Sequence, residues 1–145
     1  YNLNVQFVQT EDYFMIMNEM IHNARIVRMN EEHRDGPAMF WEGDSVGRWE
    51  GDTLVIETQN FWKGTAFGDS TPNMHLTERI SRVGPDTLRY DFTIEDPTTW
   101  TAPWTASMPM RRMNEPIYEY ACHEGNYGFD GIMAGIRRLQ LEEEL

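Results

Sequence analysis

The chain has 145 residues, a length that suits one domain, and carries 24 acidic against 12 basic residues, a formal net charge of −12. That balance repels phosphate backbones and anionic membrane surfaces, so no nucleic acid is expected as a partner. The single Cys, Cys122, excludes an intrachain disulfide and a multi-Cys zinc site, and no apolar run approaches the roughly 20 residues of a membrane-spanning helix.

Most of the chain reads as short strands between turn signals. Tyr1 opens directly inside a strand-like pattern and no signal peptide is visible, so residues upstream are expected to have been removed or left out. Val5 to Gln9 leads to a polar turn at Thr10-Glu11-Asp12. "YFMIMNEMI", Tyr13 to Ile21, forms a second strand and "ARIVRM" a third, before the charged loop "EEHRDGP" ending in Gly36-Pro37. "SVGRWEGDTLVIETQNF" is a hairpin around Glu50-Gly51-Asp52, with Gly supplying the backbone freedom of a tight turn. A long loop with Gly64, Gly68 and Pro72 precedes "MHLTERISRV" and "TLRYDFTIED", which Gly84-Pro85-Asp86 joins as a further hairpin. "TAPWTASMPMRRM" is extended and proline-bearing, which suits an edge or bulged strand. Asn114-Glu115-Pro116 then turns the chain into a closing strand, "IYEYAC". From Phe129 the apolar residues take a roughly helical spacing, so an amphipathic helix is predicted over 129–144.

About eight strands and no βαβ alternation predict a mainly β fold. The expectation is one domain over 1–145: an antiparallel up-and-down β-barrel of lipocalin-like architecture, strands over about 1–128, and a C-terminal amphipathic helix.

Strand alternation identifies polar groups that share a face with apolar ones. Glu78 lies between Leu76 and Ile80. Glu19 interrupts the row Tyr13, Met15, Met17, Ile21. Glu124 follows Tyr118, Tyr120 and Cys122. A carboxylate among apolar neighbours must be paired or protonated, and a raised pKa suits general acid or base work. Arg25, Arg28, Arg79 and Arg82 are available partners, so a structural Arg–Glu pair competes with that reading.

Cys122 and His123 are adjacent in a strand and point to opposite faces, so they form no nucleophile pair without a bulge. His22, His33, His75 and His123 lie on separate segments without H-x-H or HExxH spacing, which leaves a metal or other cofactor unassigned. Five Trp and a set of Met offer material for an apolar pocket or for plain core. "EDPTTWTAPWT", with Trp100 and Trp104 around Pro103, suits a rigid lip over a barrel mouth or a strand crossover.

"GRWEGDTLVIET", "HLTERISRV", "EDPTTWTAPWT" and "YEYACHEGNYG" together resemble, in content and order, a group of exported bacterial proteins common in soil bacteria. The loop before the first hairpin keeps only Asp35-Gly36 and Pro37 of that group's Asp-Gly-Arg-Pro-like pattern. The resemblance implies a periplasmic or extracellular location and no particular chemistry. The strand meander with a final helix is also similar to the lipocalin-type (calycin) barrels, although Gly47-Arg48-Trp49 has their Gly-x-Trp spacing only in mid-chain.

The leading expectation is a protein that binds a small apolar or aromatic molecule in a barrel lumen. Tyr13, Met17, Glu19, Arg79, Tyr90, Trp100, Trp104, Tyr118 and Tyr120 are the candidate ligand-binding residues. A second reading is a lyase, isomerase or hydrolase with Glu78 or Glu124 as general acid/base and His75 or His123 as partner. A third is a structural, self-assembling homo-oligomer built on exposed strand edges.

Overall fold

The computed structural model describes residues 4–118 and 128–143. Eight strands follow in chain order: β1 (Val5–Gln9), β2 (Tyr13–Asn18), β3 (Ala24–Met29), β4 (Asp44–Glu50), β5 (Thr53–Gln59), β6 (His75–Gly84), β7 (Thr87–Glu95) and β8 (Trp104–Arg111). The helix α1 (Gly128–Glu143) comes last. The strands form one sheet in sequence order, curled into a half-barrel. The fold class read from the alternation, mainly β with a C-terminal helix, is the one observed.

One step departs from a pure meander. β3 and β4 run parallel, with Val27 opposite Ser45 and Met29 opposite Gly47. A parallel neighbour needs a crossover of about a dozen residues or more, and residues 30–43 supply it. The charged loop in the sequence is therefore a crossover over one end of the sheet. The proposed closing strand is not seen at Ile117 and Tyr118, and its remainder lies outside the described residues.

The second strand ends earlier than its apolar run suggests. Asn18 N–H donates to Asn23 O at 2.8 Å, and Ile21 and His22 carry the chain round with φ of 66° and 56°. That is the left-handed backbone of a tight hairpin turn, in which a β-branched Ile is strained by about 1–2 kcal/mol. Replacing Ile21-His22 with Asn-Gly is expected to stabilise the protein by about 1–2 kcal/mol, read as a higher urea midpoint.

The concave face is built from cross-strand rows. Phe7, Ile16 and Arg25 are successive neighbours on β1 to β3, and Gly47, Ile56, Glu78, Phe92 and Ala106 on β4 to β8. The next row toward the β6–β7 turn is Trp49, Leu54, Ile80, Tyr90 and Met108. One core cluster joins Phe14, Ile16, Val27, Met29, Leu54, Ile56 and Ile80. A second, at the other end of the sheet, joins Phe61, Met74 and Ile94, with Trp100 and Trp104 packed against it.

Tyr13 and Met17 were expected to face inward, but the phase of β2 is the opposite one. Phe14 and Ile16 are buried, while Tyr13 is exposed. Both phases of "YFMIMN" are apolar, so alternation alone had no basis for choosing. The pairing of Phe14 with Val27 and of Ile16 with Arg25 decides it.

Gly43 places the crossover against the sheet. Its φ is +75°, and an added Cβ would lie 2.5 Å from Thr58 Cγ2 and 3.0 Å from both Gln59 O and a Phe61 ring carbon. Gly43→Ala combines left-handed strain with overpacking and is expected to cost about 2 kcal/mol in chemical denaturation.

Candidate functional site: a concave cavity with a charged floor

The half-barrel forms an open cavity of about 1070 Å³ on its concave face. Its apolar wall includes Phe7, Ile16, Ile80, Leu88, Met108 and Met110. This is just above the usual range of about 300–1,000 Å³ for small-molecule sites. The gap between the two sheet edges is partly spanned by the segment after β8, since Pro116 and Ile117 also line the cavity.

Glu19 ties that segment down. Its Oε2 accepts from Asn4 Nδ2 at 2.8 Å and its Oε1 from the Tyr118 backbone N–H at 3.0 Å, while its own N–H donates to Asn4 O at 3.0 Å. Glu19 is buried, as expected of a carboxylate in an apolar row, but as a clamp between the two edges and not as part of the cavity wall. Tyr118 contributes its backbone to this clamp, and its side chain is exposed.

The floor of the cavity is ionic. Arg25 from β3 reaches Glu78 on β6, with Nη2 at 2.8 Å from Oε1 and 2.7 Å from Oε2. The two side chains are 11% and 3% exposed, so this pair is buried. The Tyr90 hydroxyl donates to Glu78 Oε1 at 2.7 Å. Arg25 Nη1 lies 3.5 Å from Thr58 Oγ1, itself 2.8 Å from Ser45 Oγ. Burial and the adjacent Glu78 carboxylate both push the Tyr90 phenol above its ordinary pKa, so it stays a donor. Burial disfavours the Arg25 charge, but Glu78 outweighs it and holds the guanidinium ionised. Glu78 Oε2 is the odd atom. It lies 2.7 Å from Arg25 Nη2 as an ion-pair contact, is shielded from solvent, and accepts no hydrogen bond among the described residues.

Sequence reasoning thus found Glu78 and Tyr90 as inward groups and Arg25 among the available partners. It erred on several others. His75 cannot assist Glu78, because the two stand an odd number of residues apart on β6 and point to opposite faces. His75 instead borders a separate hollow of about 310 Å³ with His33, Glu57 and Glu95. Among the described residues no three His, Cys, Asp or Glu come together to hold a metal. Arg79 faces outward and pairs with Glu50 at 3.0 Å, in a surface ladder that Arg48 extends to Glu57.

Trp100 and Trp104 do not form a lip over this cavity. They pack edge-to-face, 6.0 Å between ring centres, and Trp100 Nε1 donates to Ser70 Oγ at 3.1 Å. Tyr120, His123 and Glu124, with Cys122, lie outside the described residues.

Two buried carboxylates organise the loops at the end of the sheet opposite the β6–β7 turn, and neither was singled out as a site. Asp44, 2% exposed, accepts from Arg28 Nη2 at 3.0 Å and from the Arg34 backbone N–H at 2.8 Å, with His33 Nδ1 at 3.2 Å. Asp96 accepts from the Thr71 and Thr98 backbone N–H groups and from the Thr98 hydroxyl. Burial alone would raise both carboxyls, but these bonds outweigh it and hold both below the ordinary carboxylate range. Their place at loop ends, Asp44 closing the crossover after Gly43 and Asp96 opening a loop before Pro97, is the local signal that marks them. Comparison with protein-family models, with curated proteins and with solved structures finds no match to this chain.

Proposed function

We propose that the protein binds a small, largely apolar molecule in the concave cavity. One observation carries this reading. An open hollow of about 1070 Å³, with Phe7, Ile16, Ile80, Leu88, Met108 and Met110 on its lining, lies over the Arg25–Glu78–Tyr90 network. Concave, partly apolar hollows with a few fixed polar groups are the usual form of small-molecule sites. Arg25 and Tyr90 hold the Glu78 carboxylate in place, so this polar end of the hollow is fixed before any ligand arrives. The same bonds commit Glu78 to a fixed ion pair, which favours recognition over proton transfer.

The test is a fluorescence titration with N-phenyl-1-naphthylamine, a neutral aromatic probe that brightens in apolar surroundings. The expected result is saturable binding of one probe per chain, weakened at least tenfold by Met108→Glu. Met108 lines the cavity and is exposed, so its replacement leaves the core intact. Absence of saturable binding, or equal binding by Met108→Glu, would overturn the reading.

A further inference from the structure

The charge at one end of the cavity narrows the class of ligand, on the reading that the cavity binds one at all. Arg25, Arg28, Arg34, Arg48, Arg79 and Arg89 each have a carboxylate within 3.5 Å. In a chain with twice as many acids as bases, such pairing is the expectation. Three arginines at the β6–β7 turn break it. Arg82 donates to a backbone carbonyl, Pro85 O, at 2.9 Å. Arg112 has only Asp86, at 3.8 Å, with both side chains more than two-thirds exposed. Arg111 has no acidic partner among the described residues.

The fold brings these three together. Arg82 is the register neighbour of Leu88, which is the neighbour of Met110, while Thr87 faces Arg111. Arg112 N–H then donates to Asp86 O at 2.9 Å, fixing the end of β8 to the turn. All three arginines line the same cavity, beyond the wall formed by Leu88, Met108 and Met110. The result is an apolar, methionine-bearing trough that ends in guanidinium groups free of strong internal pairing. Methionine adapts to ligands of varied shape, and guanidinium is suited to carboxylate and phosphate oxygens.

We infer that the ligand is an amphipathic organic anion, whose hydrocarbon body lies along Leu88, Met108 and Met110 and whose carboxylate or phosphate meets Arg82, Arg111 and Arg112. The class follows from the juxtaposition within one cavity of an apolar wall and three arginines, of which only Arg112 has a carboxylate partner, Asp86 at 3.8 Å.

The test compares 11-(dansylamino)undecanoic acid with its primary amide, which has the same body and no charge. The acid is expected to bind at least tenfold tighter than the amide to the intact chain, with the difference shrinking as salt is raised. Arg111→Glu/Arg112→Glu, both exposed positions, is expected to abolish the difference and leave amide binding within twofold. Equal affinities for acid and amide in the intact chain would overturn the inference while leaving the cavity reading in place. Failure of both probes to bind would overturn it together with that reading. An acid preference that survives the double charge reversal would move the anion away from this end of the cavity and equally overturn the inference.

Discussion

Arg25→Leu is expected to lower stability by about 3–5 kcal/mol, because it leaves Glu78 buried without its counter-ion. Glu78 is 2% exposed, and its remaining partner among the described residues would be the Tyr90 hydroxyl. The triple replacement Arg25→Leu/Glu78→Leu/Tyr90→Phe removes every member of the network and substitutes apolar volume. It is expected to return to within about 1 kcal/mol of the parent, since a buried ion pair adds little net stability over well-packed apolar residues. Urea denaturation of the parent, the single variant and the triple variant measures both effects. If the single variant is as stable as the parent, the pair is not buried as described. If the triple variant is stable yet no longer binds the neutral probe, the network is present for recognition and not for folding.

The second large effect lies at the crossover. Asp44→Ala is expected to cost about 3 kcal/mol, because it removes the acceptor for Arg28, for His33 and for the Arg34 N–H at once. Arg28 retains Glu31, so the loss is smaller than for a wholly orphaned charge. The same residue gives a pH dependence with a definite sign. A carboxyl held below its ordinary pKa binds fewer protons in the folded state than in the unfolded one. Its contribution is therefore full above the unfolded-state value near ~4 and drains away as pH falls below that, toward the depressed folded-state value. Asp96 acts in the same direction. Thermal melts of the parent are expected to lose stability steeply below about pH 4. Asp44→Ala should show a shallower fall over that window, and an identical slope in the two proteins would contradict the role given to Asp44.

What was legible in the sequence follows from where its patterns are one-sided. β6 and β7 alternate cleanly, so Leu76, Glu78 and Ile80, with Leu88, Tyr90, Phe92 and Ile94, were placed on the correct face. Gly51 and Gly84-Pro85-Asp86 marked their hairpins because those turns use residues that favour them. β2 failed because both of its faces are apolar, and its turn was hidden because Ile21 and His22 occupy conformations usually given to Asn and Gly. The parallel step was invisible for a different reason. A loop of charged residues is compatible with either strand direction, and the contacts that hold the crossover in place, among them those of Asp44 with Arg28, His33 and Arg34, leave no local pattern. Arg25 appeared among several candidate partners for Glu78 because nothing local distinguishes it from Arg79. The two differ only in which face of the sheet they leave from.

The central claim is that the concave face holds a ligand cavity, and methyl NMR locates binding there directly. The protein labelled at its methionine methyl groups would be titrated with N-phenyl-1-naphthylamine. The account predicts saturable shifts at Met108, Met110 and Met113, which line the cavity, and none at Met74, which is enclosed in the second core. Shifts confined to Met15 and Met17 on the opposite face, or no saturable shift at all, would contradict it.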